Sequence, residues 1–185
     1  TPIGVAKFTL ISLAATVVSA TIGVSSLTLA GYAEVSSFIS VWLTWWLGDL
    51  AGALVVTPVV VLWAKSEPAS LTPPQITGTG LTYLAAVAVG VIVFGCPVIH
   101  HIPVHEALGF LFVLPLLWAS LRQGPRDTAT VALIISAFAV GCTLLQCGPF
   151  AKPNLNDSFI LLLAFTISTS VLSLALSTDV AVRRR

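Results

Sequence analysis

The segment "SVWLTWWLGDLAGALVVTPVVVLWA", Ser40–Ala64, decides the fold. It is long and apolar enough to cross a bilayer as a helix, since a hydrocarbon core about 30 Å thick takes roughly 20 apolar residues. Yet it carries an aspartate, Asp49, with three tryptophans (Trp42, Trp45 and Trp46) just before it and no lysine or arginine in the same segment. A carboxylate at that depth costs about 2.5–3.5 kcal/mol on the lenient insertion scale. It must be protonated, hydrogen-bonded or turned toward a wet cavity.

The rest of the chain is equally apolar. Hydrophobic residues make up 57% and charged residues 8%, where a soluble domain carries about a quarter charged residues, and the mean hydropathy is +1.03. Six apolar stretches follow one another, at about 5–30, 38–64, 79–97, 104–121, 127–146 and 158–178. A spanning helix satisfies its own backbone hydrogen bonds, which lipid cannot do. A β-barrel would alternate apolar and polar residues instead. The fold class expected is therefore all-α, a polytopic transmembrane helical bundle of about six spans. The fourth span is short, with fifteen uncharged residues between Glu106 and Arg122, so His105 and Glu106 belong at the membrane surface.

Basic residues set the orientation, because cytoplasmic loops retain Lys and Arg. With six spans, Lys7, Lys65, Arg122, Arg126 and Arg183 to Arg185 share one side and Lys152 alone faces the other. Both termini are placed in the cytoplasm on that count. A net charge of +1 gives no reason to expect nucleic acid as a partner; the lipid bilayer is the partner the composition names. The first apolar run is too long for a secretory signal peptide. The chain is expected to be cut at both ends, since it starts without Met and "LALSTDVAVRRR", Leu174–Arg185, has neither Gly nor Pro to end its helix. Residues 1–178 are thus the membrane domain and 179–185 the start of a cytoplasmic helix.

Two stripes of small and hydroxyl residues mark packed faces. Ser12, Thr16, Ser19, Gly23 and Ser26 recur at helical spacing in span 1, and Thr166, Ser170, Ser173 and Ser177 in span 6. Such residues let helices approach and hydrogen-bond across the contact. In "LRQGPRD", Leu121–Asp127, Gly124 is expected to end one helix in a left-handed cap and Pro125 to open the next, with Asp127 near its positive end. "QCGPF", Gln146–Phe150, ends span 5 on the outer side, and "KSEPASLTPPQITGTG", Lys65–Gly80, reads as an irregular cytoplasmic link without a nucleotide-binding glycine motif.

Asp49 lies about eleven residues into its span, some 16 Å deep at about 1.5 Å per residue. Trp42, Trp45 and Asp49 share one side by i, i+3 and i+7 spacing. Gly48 and Gly52 offer a small-residue contact beside them, and Pro58 frees a carbonyl near Leu54 and can bend the lower half of the helix. Trp42, Trp45, Trp46, Gly48, Asp49, Gly52 and Pro58 are therefore the candidate signal-sensing or interhelical polar site. A neutral Asp49 acting as interhelical glue explains the same residues equally well.

The outer loop "CPVIHHIPVHE" gathers Cys96, His100, His101, His105 and Glu106. Imidazole and carboxylate suit zinc or copper, but the spacing is unspecific and no metal is assigned; interfacial histidines are the preferred account. Cys96, Cys142 and Cys147 all fall toward the outer face and are expected to be reduced. A five-residue separation on a helix is poor disulfide geometry for Cys142 with Cys147, and Cys96 with Cys147 is the more feasible pair. No catalytic motif, paired intramembrane carboxylates or cofactor signature is present, so no enzyme site is expected in these residues.

The Trp-Trp-Leu-Gly-Asp run resembles the signature segment of bacterial membrane-associated sensor domains of the first MASE class. The likeness continues through "FLFVLPLLWASLRQGPRDTATVAL", Phe110–Leu133, through "CGPF" with "LNDSFILLLAF", Leu155–Phe165, and into "LALSTDVAVRRR". The resemblance implies an integral membrane sensory input module of the bacterial inner (plasma) membrane. It would regulate a C-terminal cytoplasmic output in the same chain, a histidine kinase of a two-component system or a cyclic-di-GMP enzyme, commonly as a homodimer. It implies about eight spans, so the first two are expected to be missing here. It also singles out Arg122, Gly124 and Pro125, beside Arg126, at the cytoplasmic turn. The alternative from the residues is a small-molecule or ion transporter or channel, suggested by Asp49, many glycines and the intraspan prolines Pro58 and Pro115.

Overall fold

The computed structural model describes residues 1–65, 73–95 and 109–184, and these form helices with no strand among them. The helices are α1 (Pro2–Leu29), α2 (Phe38–Ala64), α3 (Pro73–Gly95), α4 (Val113–Arg122), α5 (Pro125–Leu144) and α6 (Leu155–Arg183), with single 3₁₀ turns at Val35–Ser37 and Gly109–Phe112. Four of them, α1, α2 with its preceding turn, α5 and α6, are long and apolar enough to cross a membrane, while Thr77–Val93 and Phe110–Arg122 form shorter apolar helices.

One expectation changes here, and the intraspan prolines take their places. The link from Lys65 to Gly80 is not irregular throughout, because α3 starts at Pro73; proline is pre-organised for a first helical turn, where no N–H partner is needed. Pro115 likewise sits in the first turn of α4, just after the 3₁₀ turn Gly109–Phe112 that leads into it. Within α2 the helix runs on through Pro58, so Pro58 does not supply the broken helix of the transporter alternative.

The core is built from small and medium side chains that let α3, α4, α5 and α6 converge: Ala86, Phe112, Leu116, Ala119, Val131, Ala132, Ile135, Ala139 and Leu162 are all buried. At the closest point Gly90 faces the Phe138 ring, and a Cβ there would come within 2.7 Å of Phe138 Cδ2. Large apolar side chains such as Ile11, Ile22, Val60, Leu84 and Leu172 point outward, as suits helices solvated by lipid tails rather than water.

α6 occupies the junction of the bundle, touching α1, α2, α4 and α5. The stripe foreseen on it is the buried face: Thr166, Ser170, Ser173 and Ser177 are buried, together with Ser158, Leu162 and Leu174. Their contribution is closeness rather than cross-helix bonding, because Ser173 and Ser177 donate to the carbonyls of Ser170 and Leu174 on their own helix. On α1 the buried ridge is Ser12, Thr16, Ala20 and Val24. It advances in steps of four, so Ser19 and Gly23 lie on its flank and Ser26 is exposed.

Candidate functional site

α1 and α2 pack antiparallel, and their contact is keyed by two pairs one helical turn apart. Trp45 lies over Gly23, and Asp49 faces Ser19, whose hydroxyl donates to Asp49 Oδ2 at 2.6 Å. A Cβ on residue 23 would sit 2.9 Å from Trp45 Cζ2, so only glycine leaves room for the indole here. On the opposite flank of α1, Trp42 and Trp46 stack with ring centroids 5.5 Å apart. Trp42 Nε1 donates to Thr21 Oγ1 at 3.0 Å, and Trp46 Nε1 to the Leu13 carbonyl at 3.3 Å. The tryptophans thus straddle α1, and the Trp42 and Trp46 indole N–H groups serve that helix instead of lining a pocket around the carboxylate.

Gly48 and Gly52 do not make the close helix contact expected of them. A Cβ on either would meet nothing within 4 Å. They open instead on a groove of about 450 Å³ among α2, α5 and α6, which Ser136, Gly141 and Thr166 also line. Pro58 lies in a second groove of about 430 Å³ with Val5, Phe8, Lys65 and Thr178. The seven candidate residues of α2 therefore divide: the tryptophans and Asp49 face α1, the glycines open toward α5, and Pro58 lies beside α1 and α6 in the second groove.

An interhelical hydrogen bond in a membrane protein contributes about 0.6 kcal/mol, with about 1.7 as the measured upper end. Ser19→Ala and Asp49→Leu should each weaken the chain by an amount in that range, and the double variant should cost no more than the larger single change. Asp49→Asn keeps an acceptor for Ser19 and should cost less. Unfolding the four variants in detergent gives the coupling directly; additive losses would mean the pair does not act as a unit.

The N-terminus of α6 is tied to the same segment of α2. Asn156 Nδ2 donates to Ser40 Oγ at 2.6 Å, and the Thr44 hydroxyl donates to Asn156 Oδ1. Neither Asn156 nor its partners stood out in the sequence, although an amide one residue inside the capped start of a span, after the Asn154 cap, is a polar group that lipid would penalise.

A second polar cluster closes the opposite end. The α4–α5 turn carries Arg122, Gly124, Pro125 and Arg126, the residues singled out from the sequence. Gly124 has φ +117° and ψ 178°, a positive-φ extended backbone instead of the left-handed helical cap expected. Asp127, 6% exposed, accepts a hydrogen bond from Tyr83 Oη at 2.7 Å and lies 3.2 Å from Arg126 Nε. The Arg126 guanidinium stacks 4.8 Å above the Trp63 ring, whose Nε1 donates to Thr130. Gln123 bonds Thr79 and Thr82. Arg184, the residue that follows α6 and caps it, donates to the free carbonyls of Leu121 and Arg122 at the end of α4. One turn thereby holds α2, α3 and the end of α6. The sequence disclosed Asp127 only as a partner of the helix dipole; Tyr83, Trp63 and Gln123 were not foreseen.

His100, His101, His105, Glu106 and Cys96 lie outside the described residues. Among the described residues no group of three or more metal-ligating side chains converges. Nothing in either cluster has the arrangement of a nucleophile with its base; both are built to fix helices against one another.

No curated protein and no solved structure matches the chain. One family model does, and it matches residues 3–184, from the first turn of α1 through the Arg184 that closes the α4–α5 turn. The chain accordingly belongs to the MASE1 family, whose members are membrane sensory input domains.

Proposed function

We propose that this chain is the multi-pass input module of a signalling protein in the cell inner (plasma) membrane. In this reading it crosses the bilayer six times, keeps both termini in the cytoplasm, and passes its signal through α6 to a C-terminal histidine kinase or cyclic-di-GMP enzyme. Residues 1–178 are then the sensing unit and residues 179–185 the beginning of the signalling helix, in a parent that is a homodimer. The Asp49 and tryptophan contact with α1 is the proposed sensing element, and the turn from Arg122 to Arg126 the proposed relay.

One observation carries this reading: α6 contacts four other helices and runs unbroken from Leu155 to Arg183. A change in α1–α2 packing reaches it through the α2–α6 contact at Ser40, Thr44 and Asn156, and its far end is fastened at Arg184. A stimulus acts only if it binds the two packings unequally. The transporter alternative gains no comparable support, since α2 is continuous through Pro58 and Asp49 already has Ser19 as a partner.

The test is a series of single cysteines from Thr178 to Arg183 in the parent protein, crosslinked between protomers in the two output states. The set of crosslinked positions should shift along or around the helix when output switches. An identical pattern in both states would sink the moving-helix reading, and substrate flux in liposomes would turn attention to transport.

A further inference from the structure

The end of α5 brings together two thiols that helical spacing would keep apart. α5 stops at Leu144, and the chain reverses through Gln146, which takes a positive φ of 55°. Gln146 N donates to the Thr143 carbonyl at 3.0 Å, and Cys147 N to the Cys142 carbonyl at 2.9 Å. This nested pair of bonds is the Schellman cap, in which the residue two past the cap meets the side chain three residues before it. Here those two residues are Cys147 and Cys142. The Cys147 thiol lies 3.1 Å from the Cys142 carbonyl oxygen, and both cysteines are unbridged and partly exposed. The poor geometry expected of this pair presumed an uninterrupted helix, and the cap removes that premise.

We infer that Cys142 and Cys147 are a modification site: a dithiol that closes to a disulfide by exchange with a small disulfide such as oxidised glutathione, and reopens with a small thiol. One thiolate attacks the reagent and forms a mixed disulfide, releasing one reduced small thiol. The second cysteine displaces the other half. The protein loses two protons and two electrons, which leave on two molecules of small thiol. A loop this short gains little from chain entropy when it closes, so the bond suits reversible modification better than structural bracing. Its placement matters because the loop from Cys147 leads within seven residues to Asn154, the N-cap of α6; closure stiffens the hairpin that sets the start of the proposed signalling helix. The chemistry holds whichever side of the membrane the hairpin faces. The proposed topology adds that it faces the compartment where disulfides persist.

The experiment uses membranes carrying the whole chain with Cys96→Ser, treated with oxidised glutathione, denatured, and tagged with a heavy maleimide. Both tags should be lost together, the chain should stay monomeric on a non-reducing gel, and peptide mapping should find Cys142 joined to Cys147, reversibly with dithiothreitol. Cys142→Ser and Cys147→Ser should instead retain glutathione on the remaining thiol. Phenylarsine oxide, which needs two neighbouring thiols, should block both tags in the Cys96→Ser chain and neither single-cysteine chain. Two unreacted thiols, glutathione left on both cysteines, a disulfide between chains, or a preferred Cys96–Cys147 link in the unsubstituted chain would each overturn the inference. Labelling by a membrane-impermeant maleimide reports separately on the side the hairpin faces, so a failed topology and a failed dithiol give different results.

Discussion

Asp127→Ala should destabilise the folded bundle by about 1–3 kcal/mol, one of the two largest effects expected from a single residue here. The carboxylate is nearly fully buried, and removing it leaves the Tyr83 hydroxyl without its acceptor. An orphaned donor costs about 1–3 kcal/mol when buried, and Tyr83, only partly buried, falls at the lower end of that range. Asp127 also occupies the first turn of α5, where a negative charge contributes about 0.3–1 kcal/mol against the helix dipole. The Arg126 pair adds little, since that side chain is a quarter exposed and exposed ion pairs contribute about 0–1 kcal/mol. Tyr83→Phe should cost about 1 kcal/mol, because it removes donor and leaves an acceptor that retains Arg126. Asp127→Asn should fall between the two. Denaturant titrations of the three variants in one detergent would check the order. An Asp127→Ala chain within about 0.5 kcal/mol of the parent, the range of ordinary surface changes, would mean that the cluster is ornamental to stability.

How much of this could be foreseen divides along the line between local pattern and partner identity. The α6 stripe of Thr166, Ser170, Ser173 and Ser177 was legible because a buried helical face repeats every three or four residues whatever it packs on. The α1 stripe was legible in its first half only. Ser12 and Thr16 are buried, but the ridge then continues through Ala20 and Val24, apolar residues that give no contrast with a lipid-facing surface. Asp49 announced itself by its cost in lipid, yet its partner Ser19 could be named only once α1 and α2 were seen to run antiparallel. Tyr83 and Asp127 lie 44 residues apart, and no spacing rule joins residues on different helices. The Cys142–Cys147 approach was hidden for a different reason: it depends on one residue, Gln146, adopting positive φ, a conformation that glutamine rarely takes and that composition therefore does not suggest.

The same dependence on one backbone conformation makes Gly124→Ala the second large effect. At φ +117° and ψ 178° the residue occupies a region open essentially to glycine alone, and holding another residue there costs about 1–3 kcal/mol. The following Pro125 narrows the choices further, since a residue before proline is driven to extended conformations of negative φ. Alanine would satisfy that preference only by swinging α5 away from α4. Much hangs on the present geometry: the Gly124 carbonyl accepts from Thr128 N and Thr128 Oγ1, Gly124 N reaches back to the Ala119 carbonyl, and Arg184 caps the adjacent end of α4. The added methyl would meet nothing within 4 Å, so the penalty for Ala is torsional and should be larger for β-branched Val, whose backbone is the more restricted. Gly52→Ala is the matched control, an added methyl in open space on a helical backbone, and should not destabilise. Gly124→Ala should also loosen the Arg184 contact and, on the proposed function, shift the basal output driven through α6, whereas Gly52→Ala should leave the α4–α5 turn as it is. Equal stability of the two alanine variants would show that the turn tolerates the other sign of φ, and that α6 is not held at its C-terminal end by this geometry.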